Sequence, residues 1–282
     1  MNSKIYASTN CLKYPKNIVK VLTEYEKGGI ENVELGSVHT YFDTKILKQF
    51  DFNFIIHNYF PPPKIPFNFN LASKNKIIRQ KSSKLAKKAI DLCCDIESPL
   101  YTFHAGFTVD PPKLGKAMPR IDISDRNDAI EIFVNEIEGI INYANSRGIK
   151  VAMEPNVVQK FNLVENRNDL CLFAEYQEIE KLYKNFKKSS LGLLIDLGHT
   201  AVTSHWLKFD KDEFVQKCSK NTYALHVSNN NGLQDQHRGL SQKCWAVSKL
   251  KKFKNIPIIL ETMNLSIEKI KQNIHLVQNS IK

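Results

Sequence analysis

Residues 193–199 read LLIDLGH. Three apolar residues, a carboxylate and, three positions later, a histidine describe a buried strand that ends in groups able to bind a metal ion or move a proton. The form recurs along the chain. Residues 53–57 are NFIIH, 100–104 LYTFH, 150–154 KVAME, 223–227 YALHV and 258–261 IILE; residues 32–36 are NVELG and 4–8 KIYAS. The chemistry at these ends is Glu34, His57, His104, Glu154, Asp196 with His199, His226 and Glu261, while the first segment offers only Ser8 and Thr9. A buried carboxylate must be paired or metal-bound, because an unpaired buried charge costs several kcal/mol. Each acid alone is compatible with a salt bridge across a barrel mouth. Taken together, the ends make sense if they converge, and a (β/α)8 barrel makes them converge on the face where its parallel strands finish.

Between the apolar runs lie stretches with helical period: 17–27, 76–94, 127–147, 169–187, 211–219 and 267–281. Ser124 is placed to cap the third, with Asp125 and Asp128 in its first turn. Strands alternating with helices mean a parallel sheet, and no GxGxxG follows any strand. The expectation is an α/β chain folded as one (β/α)8 TIM barrel domain over residues 1–282. Loops 105–126, 155–167 and 228–245 are long, whereas 146–148 is a tight turn, which suits a barrel with one elaborated face.

The chain has 282 residues, near the usual ~250 of such a barrel. No apolar run approaches the ~20 residues of a membrane span, and residues 1–17 hold no apolar core of a signal peptide. The six cysteines show no CxxC spacing, so free thiols in a reducing cytoplasm are expected. The formal charge of +11 admits a nucleic acid partner. The lysines, however, spread along helical stretches such as Lys181–Lys188 and Lys249–Lys254, as on solvated faces.

Imidazole and carboxylate together suit Mn, Zn, Fe or Co better than Mg or Ca. Asp235 and His237 add a D-x-H pair in the loop after His226. His39, His205 and His275 lie away from strand ends and read as surface or packing residues. Tyr59, Phe60, Phe67, Phe69, Phe107, Trp206 and Trp245 lie near the expected mouth, either to wall a sugar or for ordinary packing.

These residues carry a resemblance. Residues 69–93, FHAGF (103–107), VAMEP (151–155), LIDLGH (194–199), HVSNNNGLQDQH (226–237) and PIILETMN (257–264) are similar to the xylose isomerase-like barrel superfamily. That superfamily joins sugar and sugar-phosphate isomerases and epimerases with endonuclease IV. The epimerase branch implies one divalent ion on Glu154, Asp196, His226 and Glu261. In that reading Glu154 and Glu261, from strands facing each other across the mouth, are placed as the proton-transferring pair, with His199 or Arg238 to orient substrate oxygens; VELG (33–36), with Glu34, resembles the second strand of the sugar epimerases and places Glu34 toward the substrate. The nuclease branch implies a trinuclear zinc cluster, whose nine ligands would be those four with His57, His104, His199, Asp235 and His237. The resemblance thus implies one to three ions and a carbohydrate substrate. Three departures set the nuclease reading second. The first strand lacks A-H-V-S, the stretch after the second is too short for a DNA-penetrating loop, and RGLSQ (238–242) stands where Gly-Glu-Gly would follow D-x-H.

Overall fold

The computed structural model describes residues 4–13, 16–112, 116–186, 191–253 and 255–282. Eight parallel strands close into a barrel in chain order. They are β1 (Ile5–Ser8), β2 (Asn32–Leu35), β3 (Asn53–His57), β4 (Leu100–His104), β5 (Lys150–Glu154), β6 (Gly192–Asp196), β7 (Thr222–Val227) and β8 (Ile258–Leu260). The helices are α1 (Ile18–Lys27), α2 (Lys76–Asp95), α3 (Arg126–Asn145), α4 (Tyr176–Asn185), α5 (Leu197–Leu207), α6 (Lys211–Cys218), α7 (Trp245–Lys249) and α8 (Ile267–Ile281). Between β2 and β3 the described crossover is a 3-10 turn, Thr44–Gln49. Residues 113–115 of the loop after β4, and Lys187, Lys188 and Lys254 of the lysine runs, lie outside the described residues.

The period-2 alternation of a strand sorts the residues. Tyr6, Ile55, Leu100, Ala152, Leu194, Ala224 and Ile259 form one buried apolar cluster with members from seven strands, the interior layer of the barrel. Their neighbours Ala7, Ile56, Tyr101, Val151, Leu193, Leu225 and Ile258 belong instead to the large cluster shared with Leu22 of α1, Ala89 of α2 and Phe133 of α3. Barrel and helices are thereby locked on opposite faces of the same strands.

The structure departs from the sequence expectations at several ends. Asp125, not Ser124, caps α3, its carboxylate accepting the N–H groups of Asn127 and Asp128. The expected helix over 169–187 starts only at Tyr176. Arg126 accounts for the delay: it donates to the carbonyls of Asn168 and Cys171 and pairs with Glu178, so those carbonyls are held outside any helix. LLIDLGH runs directly from β6 into α5, and a short helix the sequence reading did not name, α7, follows the long loop after β7.

Gly192, at the start of β6, lies against the ring of Tyr223, where an added Cβ would sit 2.1 Å from a ring carbon. Gly192→Ala must displace that ring. Denaturant unfolding should show a loss of about 1–3 kcal/mol, the usual cost of overpacking, and an unchanged midpoint would mean that β6 is not seated as described.

Candidate metal centre

The strand alternation that fills the barrel interior also builds the site. Two residues beyond Ile55, Ala152, Leu194, Ala224 and Ile259 come His57, Glu154, Asp196, His226 and Glu261; on β4 the sequence of inward positions is Leu100, Thr102, His104. The polar residues therefore form the next layers up, at the C-terminal mouth. Glu154 and His226 have no exposed surface, Asp196 has 2% and Glu261 6%.

Four groups of donor atoms gather within 4.8 Å of one another: Glu154, Asp196, His199 and Glu261; His57, His104 and Glu154; His199, Asp235 and His237; and Glu34, His57 and His226. His226 joins the acids through Nδ1, which lies 2.9 Å from Glu261 Oε2, 3.9 Å from Asp196 Oδ2 and 4.0 Å from Glu154 Oε1. Glu154 faces two ways. Its Oε2 lies 3.2 Å from His104 Nδ1 and 3.5 Å from His57 Nε2, while its Oε1 lies 2.9 Å from His199 Nδ1.

Hydrogen bonds behind the site orient the rings. Thr102 donates to the carbonyl of Ile56, so its oxygen accepts from His57 Nδ1 at 2.8 Å, and His57 Nε2 turns to Glu154. His237 Nδ1 donates to the carbonyl of Glu261 at 2.8 Å, leaving Nε2 toward Asp235 Oδ2 at 3.0 Å. His226 Nε2 donates to Glu34 Oε2 at 2.7 Å, leaving Nδ1 toward the acids. Asp235 itself is placed by Gln159, whose side-chain oxygen accepts its backbone N–H.

A divalent ion fits this donor set. Both oxygens of Glu154, Asp196 Oδ2, His199 Nδ1 and His226 Nδ1 are buried yet make no aligned hydrogen bond, although partners stand as near as 2.9 Å. Short approaches without alignment are what donor atoms aimed at common points produce, and a mixture of imidazole and carboxylate is a donor set that divalent transition ions accept.

All nine ligand positions expected from the sequence meet here. Glu34, expected toward the substrate, is instead fully buried behind His226; it pairs in register with Ile55, two residues below His57. Arg238 is exposed, its backbone bonded both ways to Asn229, so the chain itself does not carry its side chain into the cluster. His39 is a packing residue bonded to Thr9, and His205 and His275 are exposed. Phe60, Phe69 and Phe107 are buried in the apolar clusters, as packing residues. Sequence reasoning missed Thr102 and Gln159. Thr102 was legible as an inward position two residues before His104; Gln159 carries no such signal.

Charge is mutually compensated. Burial pushes the Glu154 carboxyl up, but His104, His199 and His57 outweigh it and hold it at about 2. Burial pushes Asp196 up to about 6, and the neighbouring Glu261 and Glu154 carboxylates add to the rise. Burial lowers His104 to about 4. For His226 burial acts downward too, yet Glu34 and Glu261 prevail and its pKa is raised. His199 is raised by Asp196 and Asp235 against burial, and His237 rises to about 9 against burial through Asp235.

The family model described as "xylose isomerase-like TIM barrel" matches residues 44–279. Among solved structures, the chain is similar to a D-tagatose 3-epimerase-like protein (17% identity, TM-score 0.70, 100% of each chain covered). It is also similar to D-psicose 3-epimerase with D-tagatose from Clostridium cellulolyticum H10 (11% identity, TM-score 0.64, 100% of this chain and 96% of that one). A third likeness is to an AP endonuclease of family 2 from Brucella melitensis (13% identity, TM-score 0.66, 96% of each chain). At these identities the likeness is one of fold. No curated protein matches the chain.

The raised histidines set a pH dependence. An unfolded imidazole titrates near ~6.5, so the stabilising contribution of His237 is complete below that pH and is lost as pH rises through about 9. His199 and His226 act in the same direction. Metal-free protein should therefore unfold at lower denaturant concentration at alkaline pH than near pH 6. Metal ligation requires neutral imidazoles, so adding Zn or Mn at pH 7 should release protons into a weakly buffered indicator solution. Metal uptake without proton release would contradict this charge assignment.

Proposed function

The chain belongs to the xylose isomerase-like TIM barrel family, and we propose that it is a divalent-metal-dependent enzyme that isomerises or epimerises a sugar or sugar phosphate by proton transfer. The observation that carries this reading is the set Glu154, Asp196, His226 and Glu261, with Glu34 buried behind His226. A carboxylate bonded to the far nitrogen of an imidazole fixes its tautomer and raises its basicity as a ligand. The second strand thus supports one tightly held ion. Such an ion would polarise the carbonyl and hydroxyl oxygens of a keto-sugar and lower the cost of the negative charge that develops there.

The chain's own residues supply the proton steps. Glu154 and Glu261 approach from β5 and β8, three strands apart around the closed barrel, and so reach different sides of what lies between them. One takes the proton from the carbon beside the carbonyl and the other returns it. His199 stands beside Glu154 and Asp235, where it orients a substrate oxygen.

One observation favours a second reading. The two oxygens of Glu154 serve different histidines, and the His199, Asp235, His237 group adjoins them. Such an array suits several ions and attack of a hydroxide on a phosphodiester.

Glu154→Gln and Glu261→Gln should each lower exchange of a ketose α-proton with solvent deuterium by about 10²–10⁴-fold; full exchange in both variants removes them from these roles. Glu34→Gln should weaken metal binding by about 10–100-fold, measured against a chelator. Elemental analysis should find about one ion per chain for the isomerase reading. About three ions, together with metal-dependent cleavage of an abasic oligonucleotide that Glu261→Gln abolishes, would replace it with the hydrolase.

A further inference from the structure

A cavity of about 330 Å³ opens between the start of α5, the loop after β7 and the starts of α6 and α7. Ser228, Lys211, Lys243 and Trp245 line it, together with Asn229 to Asn231, and no carboxylate does. It adjoins the metal centre through Gly198, which also lines it. A Cβ on Gly198 would sit 2.4 Å from Ser228 Oγ and 3.1 Å from Asp196 Oδ1, so the hydroxyl and the carboxylate flank one point.

The side-chain oxygens of the asparagines brace the loop, and Asn230 also ties it to the start of α5. Asn230 donates to the carbonyl of Gly198 and accepts from Gly232, Asn231 accepts from Leu233 and Gln234, and Asn229 accepts from the thiol of Cys244. Ser228 is different. It is 1% exposed, and its Oγ has no hydrogen-bond partner. A buried hydroxyl left unpaired is costly unless something occupies the space beside it. The Lys211 ammonium is held 4.6 Å from the centroid of the Trp245 ring. The cavity therefore offers a buried hydroxyl and two lysines beyond the seventh strand; the nearby Asp212 carboxylate is engaged by Lys249 and the Trp245 indole N–H. In barrels of this architecture a phosphate site is often built from the loops after the seventh and eighth strands.

We propose that this cavity binds the phosphoryl group of the substrate, so that the molecule processed at the metal centre is a phosphate monoester of a sugar. Lys211 and Lys243 supply the countercharge and Ser228 donates a hydrogen bond to a phosphoryl oxygen. Trp245 forms the wall. A metal ion holds the carbonyl end and the cavity holds the phosphate end. The proposal rests on the isomerase reading above, but its test does not need turnover.

Trp206→Phe leaves Trp245 as the single indole of a chain that has two. In that background, chelator-treated protein is titrated with inorganic phosphate, and indole fluorescence is followed. Phosphate should change the emission saturably. A ketohexose 6-phosphate should compete for the site, and the unphosphorylated ketose should not. Lys211→Met and Ser228→Ala should each weaken binding by about tenfold, the worth of a charge-assisted or buried hydrogen bond. Unaltered phosphate affinity in both variants, no response from Trp245, or equal competition by the unphosphorylated ketose would each overturn the assignment. The two readings fail separately. Intact phosphate binding with no α-proton exchange on any ketose phosphate would reject the isomerase, whereas exchange on plain ketoses with no phosphate binding would reject the cavity alone.

Discussion

The mouth of this barrel is organised around one buried carboxylate. Glu154 has no exposed surface, and an ionised carboxylate so placed costs several kcal/mol unless partners compensate it. His57, His104 and His199 do so, on two different oxygens. Two of these residues are in turn fixed by neighbours: the His57 ring by Thr102, and His199 by Asp235 at its ring and Asp196 at its backbone N–H. The groups are interdependent, because Glu154 is shared by three rings and His199 by three carboxylates. The geometry of the site is therefore a property of the whole set, held from below by the apolar layer on which it stands.

That layer explains why so much was legible in the chain. A strand buried on both faces reads as a continuous apolar run, so the first polar residue to break the run marks the mouth. His57, Glu154, Asp196, His226 and Glu261 follow this rule, His104 comes one inward position after the polar Thr102, and the barrel order follows from their alternation with helical stretches. Glu34 follows it too, but its position along the strand was not readable. Register, not spacing, sets it two residues below His57, and there it meets His226 instead of a substrate. Interactions between distant parts of the chain were the least visible. The start of α4 is decided by Arg126, about fifty residues earlier, and the D-x-H loop is held by Gln159 from the loop after β5. Periodicity has no access to either.

The same reasoning separates what belongs to the fold from what belongs to the chemistry. A (β/α)8 scaffold hosts many reactions, so its presence alone chooses none. The choice rests on details at the strand ends. One is Glu34 behind His226, which favours a single firmly held ion; another is the two-sided Glu154, which would serve a larger cluster. The basic charge of the chain adds less, because lysines such as Lys27, Lys48 and Lys217 are engaged with acids on the surface.

Asp196 ends β6 and caps α5 at once. Its Oδ1 accepts the backbone N–H of His199, and its Oδ2 faces the donor set. One side chain thus starts a helix with one oxygen and turns the other toward the donor set. The two duties impose different chemical demands. Asparagine retains a capping oxygen but gives up the charge; glutamate retains the charge but is too long to cap from the same position. Aspartate alone meets both. Because His199 is the residue whose amide is capped, the backbone that begins α5 also sets where that imidazole stands. The strand-to-helix junction is in effect a hinge pin, through which any loosening of α5 would be felt at once by two of the donor residues.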